Sequence, residues 1–299
     1  MEMLTFSHIA KRFGAKQVLR DVSFCVPQYT VYGFVGPNGA GKTTAMKLML
    51  GLLDSDSGEI YVNGIPVHYG NTAATNQFVG YLPDVPEFYS YMTPAEYLRF
   101  CGEIAGMPKK EIKARCEELL CLVGLEKENR RIKGFSRGMK QRLGIAQALF
   151  GRPKLLICDE PTSALDPAGR KELLDLLVKA KEQAAVLFST HILSDVEQIC
   201  DEVAFLYDGR IVLKGNLEEV RKIKKTASVE LELERQEDVQ KIMTVFSCLK
   251  LLGSNRLMLE DAGQLPDVLR FLADQKVSIL RIERQEASLE DLFMEVVVR

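Results

Sequence analysis

The chain of 299 residues exceeds one typical domain, so a large domain with a smaller companion is expected. Hydrophobic residues at 46% supply a core, and a formal net charge of −2 gives no electrostatic ground for a nucleic-acid partner. Seven scattered cysteines without a C-x-x-C pair, and apart from His8, His68 and His191, argue for reduced thiols over disulfides or zinc.

The beginning of the chain lacks the basic-then-apolar pattern of a secretory signal, and no apolar run approaches the roughly 18–20 residues that cross a bilayer. Alternating runs over residues 3–9, 18–19 and 22–26 predict an antiparallel β layer. Residues 31–35 form an apolar strand candidate, followed by a glycine-rich loop and a helix over 43–52. Residues 60–62 precede Asn63-Gly64, a hairpin signal. A helical pattern over 93–124 is broken at Gly106-Met107-Pro108, and another over 136–150 is stopped by Gly151-Arg152-Pro153. The continuous apolar run 155–158 suits a buried parallel strand, with a helix over 168–180 and a second buried strand over 185–189 behind it. This alternation predicts an α/β core.

Around Gly215 the character changes. Residues 216–225 predict a charged helix ending in a basic cluster, and 228–234 alternate strictly, as a half-buried strand with an acidic outer face does. Further strands are expected over 256–260 and 277–282, helices from about Gln236 and Leu265, and a last helix from Ser288 with Asp291 as its capping-box partner. The predicted domains are 1–220, with a helical part over about 85–150, and a small α/β domain over 221–299.

Three motifs carry chemistry. Gly36-Pro37-Asn38-Gly39-Ala40-Gly41-Lys42-Thr43, followed by Thr44, satisfies G-x-x-x-x-G-K-[ST] between a predicted strand and helix. Its backbone N–H groups and helix dipole are suited to phosphates, Lys42 to the β- and γ-phosphates, and the Thr43 hydroxyl to Mg²⁺. Asp159-Glu160 ends the strand 155–158, where Asp159 is expected to hold Mg²⁺ through water and Glu160 to polarise the attacking water. Ser136-Arg137-Gly138-Met139 opens a helix, and an ordinary serine N-cap explains it when taken alone.

The order GPNGAGKTT, FSRGMKQR, LLICDEPTSALDP and STH resembles the nucleotide-binding subunits of ABC transporters over residues 1–215. The resemblance implies a P-loop NTPase core with an antiparallel β layer and a helical subdomain, binding ATP with Mg²⁺ and hydrolysing it. It implies that Ser136 and Gly138 grip the γ-phosphate of ATP on a second nucleotide-binding subunit, in a homodimer, and that Ser163 to Asp166 communicate between the two sites. It further implies that His191 contacts the γ-phosphate and Phe13 stacks on adenine, although Phe13 equally suits a core position.

Three positions depart from the family pattern. Asp84 stands where a metal-ligating glutamine is usual, and Arg137 and Met139 replace the usual glycine and glutamine. The resemblance also implies a separate integral membrane permease, peripheral attachment to the inner face of the cell membrane, and a transport direction of export. The aromatic stretch from Pro86 to Met92 fits either the permease groove or core packing of the helical part. Alternative readings are a soluble ABC ATPase acting on ribosomes or DNA, and a regulatory ATPase without a permease.

Overall fold

β1 (Glu2–Phe13) and β2 (Lys16–Pro27) form a long antiparallel hairpin turned at Gly14, whose φ of 57° suits glycine. The computed structural model describes residues 1–223, 228–259, 261–285, 289–290 and 292–293, and divides into Met1–Leu217 and Glu218–Arg299. The short runs expected over 3–9, 18–19 and 22–26 are thus parts of two 12-residue strands. Register shifts, with His8 and Asp21 at positive φ, interrupt the alternation and make each strand read as fragments.

In the first unit there follow β3 (Val31–Val35), α1 (Lys42–Met49), β4 (Ser57–Val62), β5 (Ile65–Pro66), α2 (Ala73–Asn76) and β6 (Val79–Leu82). Next come α3 (Pro94–Ile104), α4 (Lys109–Leu122), α5 (Arg137–Leu149), β7 (Leu155–Cys158), α6 (Pro167–Ala180) and β8 (Ala185–Thr190). Then come α7 (Leu193–Ile199), β9 (Glu202–Tyr207) and β10 (Arg210–Asn216); α8 (Leu217–Ile223) begins at the last residue of this unit and otherwise belongs to the second.

One sheet has the order β2-β1-β4-β5 and is antiparallel; the other runs β10-β9-β3-β8-β7-β6 and is parallel except at β10. Every residue of β3, β7 and β8 is buried, which is why these strands are apolar runs and do not alternate. Phe6, Phe24, Phe34, Met46, Ile157 and Leu187 belong to one core joining the two sheets and α1. β6 escapes the sequence reading because it is short and contains Gly80. A Cβ there would lie 2.2 Å from the Ala148 carbonyl oxygen, so the glycine lets α5 approach the sheet.

In the helical part, Thr93 and Glu96 form a reciprocal capping box that starts α3. Buried Arg115 of α4 donates to the Leu149 and Phe150 carbonyls, supplying partners for the last turn of α5.

The second unit holds β11 (Ser228–Leu233), α9 (Gln236–Val245), β12 (Leu249–Leu251), β13 (Arg256–Leu259), α10 (Leu265–Asp274) and β14 (Ile279–Gln285). Its antiparallel order β12-β13-β11-β14 interleaves two split β-α-β units. Val229, Leu231 and Leu233 of β11 pack with Val239, Ile242, Val268 and Leu272, while Glu230 of the opposite face pairs with Arg256 at 3.3 Å. The expected capping box of Ser288 and Asp291, the basic pair Lys224-Lys225 and Glu260 lie outside the described residues.

Candidate functional site

β8 lies between β3 and β7, and the register sets Val35 beside Thr190 and Cys158 beside Phe188. The glycine loop, Asp159-Glu160 and His191 each follow one of these strands, so parallel topology gathers them at one carboxyl edge.

The loop's shape requires glycine at three places. A Cβ on Gly36 would lie 2.3 Å from the Leu206 carbonyl oxygen, while Gly39 and Gly41 have φ of 82° and 111°. Gly41 is the N-cap of α1 and no side chain caps it, so the helix presents its first N–H groups to an anion. Lys42 is 5% exposed and folds back: its Nζ donates to the carbonyl oxygens of Gly36 at 2.6 Å and Pro37 at 3.1 Å. Ala40 closes the turn by donating to the Pro37 carbonyl at 3.2 Å.

The same Nζ pairs with Glu160 Oε1 at 3.0 Å, and His191 Nδ1 lies 2.7 Å from Glu160 Oε2. With Glu160 ionised, that histidine nitrogen must carry the proton, because a carboxylate only accepts. Glu160 has a φ of 47°, a left-handed conformation uncommon for a non-glycine residue, and this separates its direction from that of Asp159. Ser189 fixes both acids. Its hydroxyl donates to Asp159 Oδ1 at 2.7 Å and accepts from the Glu160 N–H at 2.9 Å. Asp159 is 4% exposed, and burial together with its negative charge pushes the Tyr81 hydroxyl up to about 12.

A cleft of about 620 Å³ contains Phe13, Asn38, Gly39, Gly41, Lys42, Thr43, Thr44, Asp84, Glu160 and His191. Phe13 is 49% exposed, which places it at the cleft and not in the β-layer core, with Lys11 Nζ 5.6 Å from its ring centre. Lys16, Val18 and Ser163 also line the cleft without having been singled out for it from sequence. Ser189 was likewise missed as a bridge; its only sequence signal is its position two residues before His191.

Ser136 and Gly138 are not brought to this cleft. They line a separate recess of about 280 Å³ with Arg137, Leu165 and Asp166, and Ser136 caps α5 by accepting from the Met139 N–H at 3.2 Å.

Of the residues expected to hold a cation, Thr43 and Asp84 line the cleft, whereas Asp159 is buried beside it and does not line it. Asp84 Oδ1 already accepts from Arg137 and Ser163, and Asp159 Oδ1 from Ser189. No cluster of three or more His, Cys, Asp or Glu exists among the described residues. So sparse a set of hard oxygens suits Mg²⁺, which keeps waters and takes its remaining ligands from phosphate.

The aromatic stretch contributes to packing of the helical part. Phe88 packs edge-on against buried Tyr97 with ring centres 5.0 Å apart, while Tyr89 and Tyr91 are exposed.

A family model described as ABC transporter matches residues 19–163, and one described as ATP-binding protein DrrA1-3-like, C-terminal domain, matches residues 215–297. The chain is 39% identical over 303 residues to the uncharacterized ABC transporter ATP-binding protein YxlF of Bacillus subtilis, covering 99% of each chain. It is 33% identical to the bacitracin transport ATP-binding protein BcrA of Bacillus licheniformis, covering 97% of this chain and 95% of the relative. It is 36% identical to the linearmycin resistance ATP-binding protein LnrL of Bacillus subtilis, over 71% of this chain and 69% of the relative. Among solved structures it resembles an ATP-binding subunit of an ABC transporter with a TM-score of 0.65 at 34% identity, covering 74% of this chain and 92% of that one. It also resembles cbiO1 of Clostridium perfringens, part of the ABC transporter complex cbiONQ, with a TM-score of 0.69 at 26% identity, covering 82% and 96%.

Proposed function

Because the chain belongs to the ATP-binding proteins of ABC transporters and is an ATPase of that family, we propose that it powers export through a separately encoded membrane permease. The observation that carries this reading is the similarity, over nearly the whole chain, to a bacitracin transport ATP-binding protein. Consistent with a separate permease, no helix among the described residues is long and apolar enough to cross a membrane.

In this reading the cleft takes ATP with its adenine on Phe13 and its phosphates in the glycine loop. Lys42 exchanges Glu160 for β- and γ-phosphate oxygens. The released Glu160 accepts a proton from the attacking water, and His191 steadies that carboxylate and the γ-phosphate. Mg²⁺, held through Thr43 and Asp159, would supply charge neutralisation of the phosphates when bound. Since Ser136 and Gly138 face a different recess, they serve the nucleotide of a second copy of the chain. ATP then stabilises a closed homodimer, and hydrolysis reopens it. Residues 1–220 do this chemistry; residues 221–299 form an accessory domain with a dimerisation or regulatory role.

Membrane attachment tests the transporter reading. The chain expressed with the permease is expected in washed membranes, released by alkaline carbonate and absent from membranes when the permease is deleted. Recovery with ribosomes, or a soluble protein unaffected by the permease, would instead favour the soluble ATPase reading. Truncation near residue 221 is expected to alter dimerisation or ATPase kinetics, and unchanged values of both would remove the accessory role.

A further inference from the structure

Asp84 and Arg137 stand where three recesses meet. Asp84 lines the nucleotide cleft and also a groove of about 470 Å³ beside Val85, Pro86 and Phe88. Arg137 lines that groove and the recess containing Ser136 and Gly138. The partition between them is a closed triangle of polar contacts. Arg137 Nη2 donates to Asp84 Oδ1 at 3.0 Å and to Ser163 Oγ at 3.2 Å, and Ser163 Oγ donates to Asp84 Oδ1 at 2.7 Å. Fully buried Gln141, one turn further along α5, donates to the main-chain oxygen of Asp84 at 2.5 Å. The loop after β6, the first turn of α5 and the loop after β7 are therefore joined at one point.

The charges in this triangle make sense only together. A cation in the first turn of a helix opposes the helix dipole, so Arg137 is unfavourable there without an acid beside it. A carboxylate on the wall of a phosphate-binding cleft repels the incoming anion unless a cation offsets it. Each group relieves the other. With side chains 41% and 48% exposed, the pair is of the weak, solvent-screened kind, which can be exchanged for another partner.

We propose that Arg137 is a positioning residue that ties the Asp84 carboxylate and Ser163 to the first turn of α5 at the cleft wall, and yields Asp84 to the cation that accompanies the nucleotide. Arg137 thus neutralises Asp84 while the phosphates enter and competes with Mg²⁺ for it afterwards. This rests on the reading of the cleft as an Mg²⁺–ATP site.

The test uses the full chain and two readouts: equilibrium binding of a fluorescent ATP analogue with and without Mg²⁺ in the Glu160→Gln background, and steady-state ATPase as a function of Mg²⁺. R137A is expected to lower half-saturating Mg²⁺ about three- to fivefold and to weaken Mg²⁺-free nucleotide binding by a similar factor, as befits an exposed pair. In the D84N background the same R137A change is expected to alter neither quantity, and R137K in the parent background to restore both within about twofold. Equal effects of R137A with and without D84N would overturn the proposal, as would an unchanged Mg²⁺ dependence in R137A. R137Q keeps much of the side chain's length and polarity without its charge and is expected to shift both quantities as R137A does, so the answer survives if R137A folds poorly. Failure of the underlying reading looks different: the parent chain would then bind the analogue no better than K42A does.

Discussion

Glu160→Gln removes one negative charge from the cleft while keeping the side chain's shape. This carboxylate pairs with Lys42, the cation proposed to bind the phosphates, at 3.0 Å, with both side chains largely buried. ATP must therefore displace an internal acid. A hydrogen bond to a charged acceptor is worth about 1.5–3 kcal/mol and one to a neutral acceptor about 0.5–1.5 kcal/mol. The substitution thus lowers the cost of releasing Lys42 by about 1–1.5 kcal/mol, which corresponds to about five- to tenfold tighter ATP binding. The gain stays this small because Lys42 keeps its contacts to the Gly36 and Pro37 carbonyls in either variant. Loss of the group proposed to take the water's proton should slow hydrolysis by about 10²–10⁴-fold. Equilibrium titration with a fluorescent ATP analogue measures the first effect and single-turnover hydrolysis the second. Affinity unchanged within twofold would refute competition for Lys42, and a rate within tenfold of the parent would refute Glu160 as the base.

Phe13→Ala should weaken ATP binding about 5–30-fold, from loss of about 1–2 kcal/mol of stacking, while leaving Tm unchanged; a lower Tm with the same affinity would make Phe13 a packing residue. Ser189→Ala strips partners from Asp159 and from the Glu160 N–H. It should destabilise by about 1–3 kcal/mol, read as a Tm decrease in thermal unfolding, and should lower kcat at saturating ATP. Gly36→Ala forces a Cβ to 2.3 Å from a backbone oxygen, so loop displacement costing about 1–3 kcal/mol and loss of analogue binding are expected; normal affinity and Tm would contradict that geometry.

The glycine loop was legible because its backbone conformations demand particular residues: only glycine fits Gly36 against Leu206, and glycine is favoured at the positive φ of Gly39 and Gly41. Strands β7 and β8 were legible because burial on both faces leaves continuous apolar runs. The bulged β1 and β2 were read as fragments, since each register shift breaks the alternation on which strand recognition rests. Local sequence thus determined the phosphate loop, the acidic strand end and the α/β class.

Which groups meet was decided only by the tertiary structure. Asp84 and Ser163 are 79 residues apart, and Arg137 reaches both because α5 packs beside the loops that follow β6 and β7. Lys42 and Glu160 touch because the parallel strands β3 and β7, with β8 from later in the chain between them, end at the same edge of the sheet. The position of β8 also puts Ser189 between the two acids that sequence could only place side by side. Spacing along a chain records local backbone demands; contacts across parallel strands depend on their order in the sheet, which no single segment encodes.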